Sequence, residues 1–425
     1  MALLSFGSFA SELSSSDKKS FSFVVDGEYL DTVLQKTVVA LAQDSASSIK
    51  ETILLVQGGQ LFVVGFTPDV MVEFYLDIAT QVKGSGFVGI NVPVLQGLIR
   101  KRKDLTFTYG SKDKNVITFK ALKGVYSGEL NVTDLDDTVL PLLNDKIAAF
   151  EVKSSIKKSI FRAIVDGVKK TSLKNVYNAS QTILSFVVFD GGSGQLDVFS
   201  YDQWHLSTYR THVLKTETDS FSLSFVPTLF DTFEKLISHK TQAKTPGDPI
   251  ASGDLGLGMV KNSLILVGDG FRVMVPHLQS EPKDFDAPRQ FLSKLTDHTA
   301  SFVFNQRLLD SIVNLGSLLT VKGSQYQLTV NTNGVYLSVK TSNGVAKDKI
   351  PIKNLVVEGD AETTIRFDPD LLKDLVKPLY KQDMTSSKMT FSTYDSCYRI
   401  DSVVLDGEVV KYELVMLCSV YSEND

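Results

Sequence analysis

Apolar residues in this chain fall into two rhythms that follow one another. A short run of period two, as in a strand, hands over to apolar positions four apart, as on one face of a helix. The handover is plainest in "GINVPVLQGLIRKRK" (89–103), "LSFVPTLFDTFEKLISHK" (223–240) and "IRFDPDLLKDLVKPLYK" (365–381). Each predicts a strand and then a helix opened by a proline, Pro93, Pro227 or Pro369, at intervals of 134 and 142 residues. Proline suits a first helical turn because the N–H it lacks would have no partner there. Leu95 and Ile99, Leu229 and Phe233, and Leu371 and Leu375 mark the face that each helix turns to the core.

A second strand-to-helix pattern precedes each of these: "FVVDGEYLDTVL" from Phe23, "FEVKSSIKKSIF" from Phe150 and "FVFNQRLLDSIV" from Phe302. Six and ten residues after each phenylalanine stand Tyr29 and Val33, Ile156 and Ile160, and Leu308 and Ile312, again on one helical face. Strands around glycine turns follow: Gly58-Gly59, Gly191 to Gly194, and Asn333-Gly334. Such dipeptides between alternating apolar residues are hairpin signals. Any α+β chain offers one such coincidence, whereas two patterns in the same order three times over read as an internal repeat. Acidic, proline-bearing connectors at 131–146 and 279–298 separate the repeats. The expected organisation is a flexible serine-rich tail (1–19) and three α+β domains at 20–135, 147–286 and 299–425. Residues 240–257 read as a flexible insertion in the second domain.

Composition adds exclusions. The 43% apolar and 22% charged residues are those of an ordinary globular chain. No apolar run is long enough for a membrane helix, and the first twenty residues lack the basic start and apolar core of a signal peptide. Two cysteines, Cys397 and Cys418, are too few for a disulfide framework and favour a reducing, cytoplasmic setting. A net charge of −5 argues against a chain that coats nucleic acid with its whole surface, but not against a local basic track.

Catalytic signatures are lacking. His205, His212, His239, His277 and His298 show no metal-ligand spacing, and neither a P-loop nor a G-x-S-x-G occurs. "GSGFVG" (84–89) matches a dinucleotide fingerprint, but that motif needs a helix starting directly after its glycines. Here "INV" continues as strand and the helix waits for Pro93, so the glycines predict a hairpin. Asp136-Asp137 and the pair Asp284 and Asp286 read as linker acids, and no cofactor is implied.

The triplicated strand–helix–strands grammar resembles the bacterial DNA polymerase III β sliding clamp or a phage counterpart, over about 20–425. "LDVFSYDQWHLSTYR" (196–210) resembles a strand-loop-strand where that family usually has Thr-Asp-Gly-His-Arg-Leu; Asp202 and Leu206 match, and Gln203, Trp204 and His205 depart. "VMVPHLQSEPKDFDAP" resembles the strand and connector closing the second domain, and "YELVMLCSVYSEND" the closing strand of the chain. The resemblance implies the clamp fold: three domains, each a doubled β-α-β-β-β unit, closing as a head-to-tail homodimeric ring around double-stranded DNA. It implies no enzyme but a processivity factor that tethers a DNA polymerase, with a clamp loader as a further partner.

Under that reading, bases on repeated helices would track phosphates without reading sequence. They are Arg100, Lys101, Arg102 and Lys103 ending the first proline-started helix; Lys157, Lys158, Arg162 and Lys169 at the start of the second domain; Lys235 and Lys240; and Lys373, Lys377 and Lys381. On a helix Lys158, Arg162 and Lys169 fall within about 40° of each other. The alternative for any one of them is a solvated face, or a cation stabilising a helix C-terminus. The resemblance also implies a pocket for a short apolar polymerase peptide, walled by Tyr201, Trp204, Leu206, Pro282, Val415 and Met416, unless these only pack a domain interface. It places the subunit contact at Val125 and Tyr126 in "KGVYSGEL", opposite Ile312, Leu318 and Leu319. Two other readings stay open: a clamp-like protein-binding platform without DNA, and a dinucleotide-binding enzyme using 84–104.

Overall fold

In the computed structural model the described residues are 9–14, 20–44, 47, 49–77, 79–110, 115–133, 135, 139–152, 154–159, 161–162, 165, 181–188, 193–201, 205–215, 221–225, 229–239, 254–260, 263–276, 298–304, 325–341, 344–350, 352–357, 362–367, 387–392, 397–406 and 409–419. In chain order they form β1 (Phe21–Val25), α1 (Gly27–Leu41), β2 (Glu51–Gln57), β3 (Gln60–Phe66), β4 (Met71–Tyr75), β5 (Thr80–Gly84), β6 (Gly86–Gly89), α2 (Val92–Ile99), β7 (Leu105–Tyr109), β8 (Val116–Ala121), β9 (Ser127–Asn131), α3 (Val139–Ala148) and β10 (Ser154–Lys157). There follow β11 (Gln181–Val188), β12 (Ser193–Tyr201), β13 (His205–Lys215), β14 (Phe221–Phe225), α4 (Leu229–Ile237), β15 (Asp254–Val260), β16 (Ser263–Gly268) and β17 (Phe271–Pro276). The last strands are β18 (His298–Phe304), β19 (Gln325–Asn331), β20 (Gly334–Thr341), β21 (Gly344–Ile350), β22 (Lys353–Val357), β23 (Thr363–Phe367), β24 (Ser387–Ser392), β25 (Cys397–Asp406) and β26 (Val409–Ser419).

The chain divides into two bodies. The first holds residues 1–159, 215–217 and 231–277, and the second the remainder. In the first body one sheet runs β5-β1-β7-β8-β9. Phe23 stacks on Phe107 at 5.0 Å, Phe107 meets Phe119 at 5.8 Å, and Phe119 meets Tyr126 at 5.9 Å, an aromatic row crossing to the β9 edge. A second run of strands, all antiparallel, reads β6-β2-β3-β4-β17-β16-β15-β10. Here the early hairpins of the chain join a much later set of strands through the seam β4·β17.

Both faces of these central strands are buried, which is why β2 and β3 read as unbroken apolar runs rather than as alternation. α1 packs on β3 and β4. Its N-cap is Asp26, whose carboxylate accepts from Tyr29 N, and Leu30, Val33 and Leu34 are fully buried along one face. At Gly65 on β3 a side chain would collide with Thr37 of α1, so the strand needs glycine for this close approach. On the opposite face Phe62, Val64, Phe66, Met71, Ile265 and Met274 form one cluster with Leu140, Leu143 and Ile147 of α3 and with Ala10 and Leu13 near the N-terminus. The β2–β3 turn is the expected Gly58-Gly59 pair, at φ 60° and 77°.

In the second body a run of nine strands reads β14-β11-β12-β13-β26-β25-β24-β18-β22, with a seam at β13·β26. A separate sheet runs β21-β20-β19-β23. The hairpin sets therefore share one order three times: β6-β2-β3-β4, β14-β11-β12-β13 and β23-β19-β20-β21.

Three expectations change. Ile156 lies in strand β10 rather than on a helix, because Phe150 and Val152 are drawn into the outer cluster and the strand starts only after them. The connector at 131–146 contains most of α3, whose Val139, Leu140, Leu143 and Ile147 are buried at helical spacing. In the serine-rich leader, residues 9–14 are held in place, because Ala10 and Leu13 find apolar cover at 4% and 5% exposure.

Candidate nucleic-acid interface and peptide pocket

The predicted bases after α2 follow the helix and are not part of it. α2 is capped by Asn91, whose side chain accepts from Val94 N, and ends at Ile99. Arg100 leaves helical geometry, and Lys101 and Asp104 adopt φ of 62° and 46°, so Arg100–Lys103 form an exposed tight turn. The turn doubles back beneath β9: the Arg102 guanidinium lies 4.1 Å from the Tyr126 ring centroid, and Tyr126 Oη donates to Leu98 O at 2.5 Å. Tyr126 is thereby half-buried and tied to this turn, whereas Val125 is 99% exposed. Glycines 84–89 lie at the end of β5 and in β6, with the helix beginning only at Val92, and they form a crossover rather than the expected hairpin, because β5 pairs with β1 in one sheet and β6 with β2 in another.

A second group of bases gathers at the C-terminal end of α4. Lys158 Nζ donates to His239 O at 3.1 Å, and Lys36 Nζ reaches Ser238 Oγ at 3.5 Å. Lys235 is exposed in the last turn of the same helix. Cations here complement the negative end of the helix dipole, the structural alternative weighed above. Burial, and then the charge of Lys158, lower the Lys36 ammonium to about 8. Lys36 was not among the predicted residues, and the repeat gives no signal for it: counted from Phe23 and Phe150, its counterpart in the second copy is Ala163. His239 is 2% exposed, and its Nε2 has no hydrogen-bond partner among the described residues. The rings of Phe74 (5.0 Å), Tyr29 (6.2 Å) and Phe271 (6.3 Å) surround it. Burial first, then the two lysines, push its imidazole down to about 3.

Lys157 and Arg162 are exposed. Lys169, Lys240, Lys373, Lys377 and Lys381 lie outside the described residues, as do Trp204, Pro282, Ile312, Leu318 and Leu319. Of the predicted pocket, the backbone brings four positions together at one end of the β13·β26 seam. Tyr201 is the cross-strand partner of Leu206, which pairs in turn with Leu417, and the next two pairs are Ser207 with Met416 and Thr208 with Val415.

No protein-family profile matches the chain, and no curated protein matches it in sequence. Solved structures do match over almost its whole length. The DNA polymerase sliding clamp of Bacillus subtilis superimposes with a TM-score of 0.69 at 13% identity, over 95% of this chain and 100% of that one. This chain has the β sliding-clamp fold. Similar in the same way are the DNA polymerase III beta subunit of Thermotoga maritima (TM-score 0.66, 13% identity, 95% and 99% covered) and the Helicobacter pylori beta clamp (0.65, 15%, 94% and 100%). The last of these was solved bound to a DNA ligase peptide. Among the described residues no group of acidic, histidine or cysteine side chains has the makings of a metal site, and no helix is long and apolar enough to cross a membrane.

Proposed function

We propose that the chain is a DNA sliding clamp that joins head to tail with a second copy, encircles duplex DNA and tethers a polymerase. The observation that carries this reading is the state of the sheet edges. Of the three equivalent hairpin sets, the first ends in β4 and the second in β13, and these edges pair with the closing strands β17 and β26. The third ends in β21, and the remaining closing strand is β9. Among the described residues β21 pairs only with β20, and β9 only with β8. A third seam of the same kind joins β21 of one copy to β9 of the next, and three domains per chain make a six-domain ring from two chains. Open strand edges are costly to leave exposed and accept a partner strand readily. In this reading the turn at Arg100–Lys103 and the group Lys36, Lys158 and Lys235 meet phosphates. Tyr201, Leu206 and Val415, which the register puts on one sheet face, line the partner-peptide pocket, as the likeness to a clamp solved with a ligase peptide supports, and Met416 falls on the other face.

The test combines light scattering on a sizing column with retention on plasmid DNA. The protein is expected to run as two chains, to stay on nicked circles and to be lost once the circle is cut. Val125→Asp with Leu319→Asp should give folded single chains retained on neither. Val125 suits this purpose better than Tyr126, whose hydroxyl and ring serve the local fold. A stable single chain in the unaltered protein, or equal retention on cut and nicked DNA, overturns the reading.

A further inference from the structure

The stretch Phe9–Leu13 has no regular secondary structure, yet side chains hold the backbone of Ala10, Ser11 and Leu13. Ala10 N donates to Glu73 Oε1 at 2.7 Å, Ser11 N to Gln57 Oε1 at 2.8 Å and Leu13 N to Asn144 Oδ1 at 2.8 Å. In the other direction Arg272 Nη2 donates to Ala10 O at 3.0 Å and Asn144 Nδ2 to Leu13 O at 2.7 Å. Five backbone groups are thus read by four side chains, from β2, β4, α3 and β17. Backbone recognition with pockets for selected side chains is the way proteins hold extended peptides.

The side-chain pockets are present too. Ala10 and Leu13, three residues apart, sink into the cluster of Phe66, Met71, Leu143 and Met274, while Ser11 and Glu12 between them are exposed. Phe9 lies 4.9 Å from the Arg272 guanidinium, whose plane also meets the Phe150 ring at 4.5 Å. The seat straddles β4·β17, where Glu73 and Arg272 are direct cross-strand partners. Arg272 Nη2 and Nε donate to Glu73 Oε2 at 2.6 and 2.9 Å, with both side chains buried. Ala10 touches both members of this pair, through its N–H and its carbonyl. A buried ion pair needs its remaining donors and acceptors filled, so the leader completes the polar centre of the seam.

We propose that the outer face of the β4·β17 seam is a peptide-binding groove occupied by the chain's own Phe9–Leu13, which acts as a strap across the seam. The ligand it accepts is an extended segment with a small apolar residue, two solvent-facing residues and then leucine. This stands apart from the partner-peptide pocket proposed at β13·β26 and does not depend on ring closure.

The test uses a chain lacking residues 1–14 and a fluorescent peptide spanning residues 7–14. The shortened chain is expected to bind the peptide at least tenfold more tightly than the full chain, whose groove is filled in cis. Peptides carrying Ala10→Pro, which removes the N–H given to Glu73, or Leu13→Asp should lose that binding. In parallel, Leu13→Asp in the full chain should speed amide exchange in β4 and β17 at least tenfold while β7 and β8 keep their rates. This second arm holds even where the shortened chain fails to fold. A folded shortened chain that ignores the peptide, or unchanged exchange in β4 and β17, overturns the proposal.

Discussion

The two seams of this molecule solve one problem with different means. β4·β17 is short: four residue pairs, Phe271 with Phe74 through Met274 with Met71. β13·β26 is longer, seven pairs from His205 with Cys418 to Thr211 with Tyr412. Each places an arginine directly opposite a glutamate, but on exchanged strands. Glu73 belongs to the hairpin set and Arg272 to the closing strand, whereas Arg210 belongs to the hairpin set and Glu413 to the closing strand. Between Glu73 and Arg272 opposite charges fix register, because a slip by one residue would separate a buried ion pair. Across the short seam lie α3 and the strap, and an interlocked ion pair sits at its centre. A seam can thus be secured by pairs along its length or by cover across its width.

The sharpest way to break this contrast is Arg272→Leu. It leaves the Glu73 carboxylate buried and unpaired, and removing one partner of a buried pair costs about 3–5 kcal/mol. Denaturant unfolding should show the loss, and exchange in β4 and β17 should rise well before that in β13 and β26. Adding Glu73→Leu should restore most of the stability, since a shared apolar pair no longer buries a charge. A loss spread evenly over both seams would mean that the ion pair does not act locally.

Leu143→Ala tests the cover. Leu143 is fully buried on the inward face of α3, so its truncation should cost about 2–5 kcal/mol, with the cluster between α3 and the sheet loosened first. Methyl NMR of Met71 and Met274 would report that order.

His239 sharpens the comparison from the other face of the short seam. Its folded imidazole is held near 3 against an ordinary 6.5, so the unfolded chain binds the extra proton between those values. Stability therefore falls as pH drops from 6.5 towards 3. His239→Phe, which suits the aromatic surroundings, should flatten that part of the pH–stability curve. An unaltered slope would mean that other groups carry the acid sensitivity.

The smallest effect is expected at Lys36. Its ammonium loses its proton at about 8 instead of 10.5, so its attraction for phosphate fades as pH rises from 7 to 9. DNA association should weaken over that range in the unaltered protein and less so in Lys36→Arg, which stays charged. Equal pH dependence in both would place Lys36 away from DNA.

What the sequence carried and what it hid divide along sequence distance. Leu95 and Ile99 on α2, Leu229 and Phe233 on α4, and the Gly58-Gly59 turn were legible because each depends on neighbours a few residues away. α3 was obscured by the acids before it and by Pro141, although a proline in the first turn is compatible with a helix and the apolar spacing was there. Glu73 in "MVEFY" and Arg272 in "FRVMVP" are single charges inside apolar strands, a visible anomaly. Their partnership spans 199 residues and follows only from the seam. The strap was hidden for a similar reason: two small anchoring side chains in a serine-rich stretch carry no periodicity. Three of the described pocket positions, Tyr201, Leu206 and Val415, come to one sheet face through register alone.

The unpaired edges have a further consequence. β9 and β21 differ from one another, so a copy that joins through them always leaves one of each exposed at the far ends. Such a joint adds copies indefinitely unless the turn per copy brings the ends back together. The polar run Lys347–Lys349 on β21 and Glu129 on β9 limit that hazard by rejecting most chance strands. Substituting these charges with valine should produce fibres visible by electron microscopy, assembled from chains that are each correctly folded.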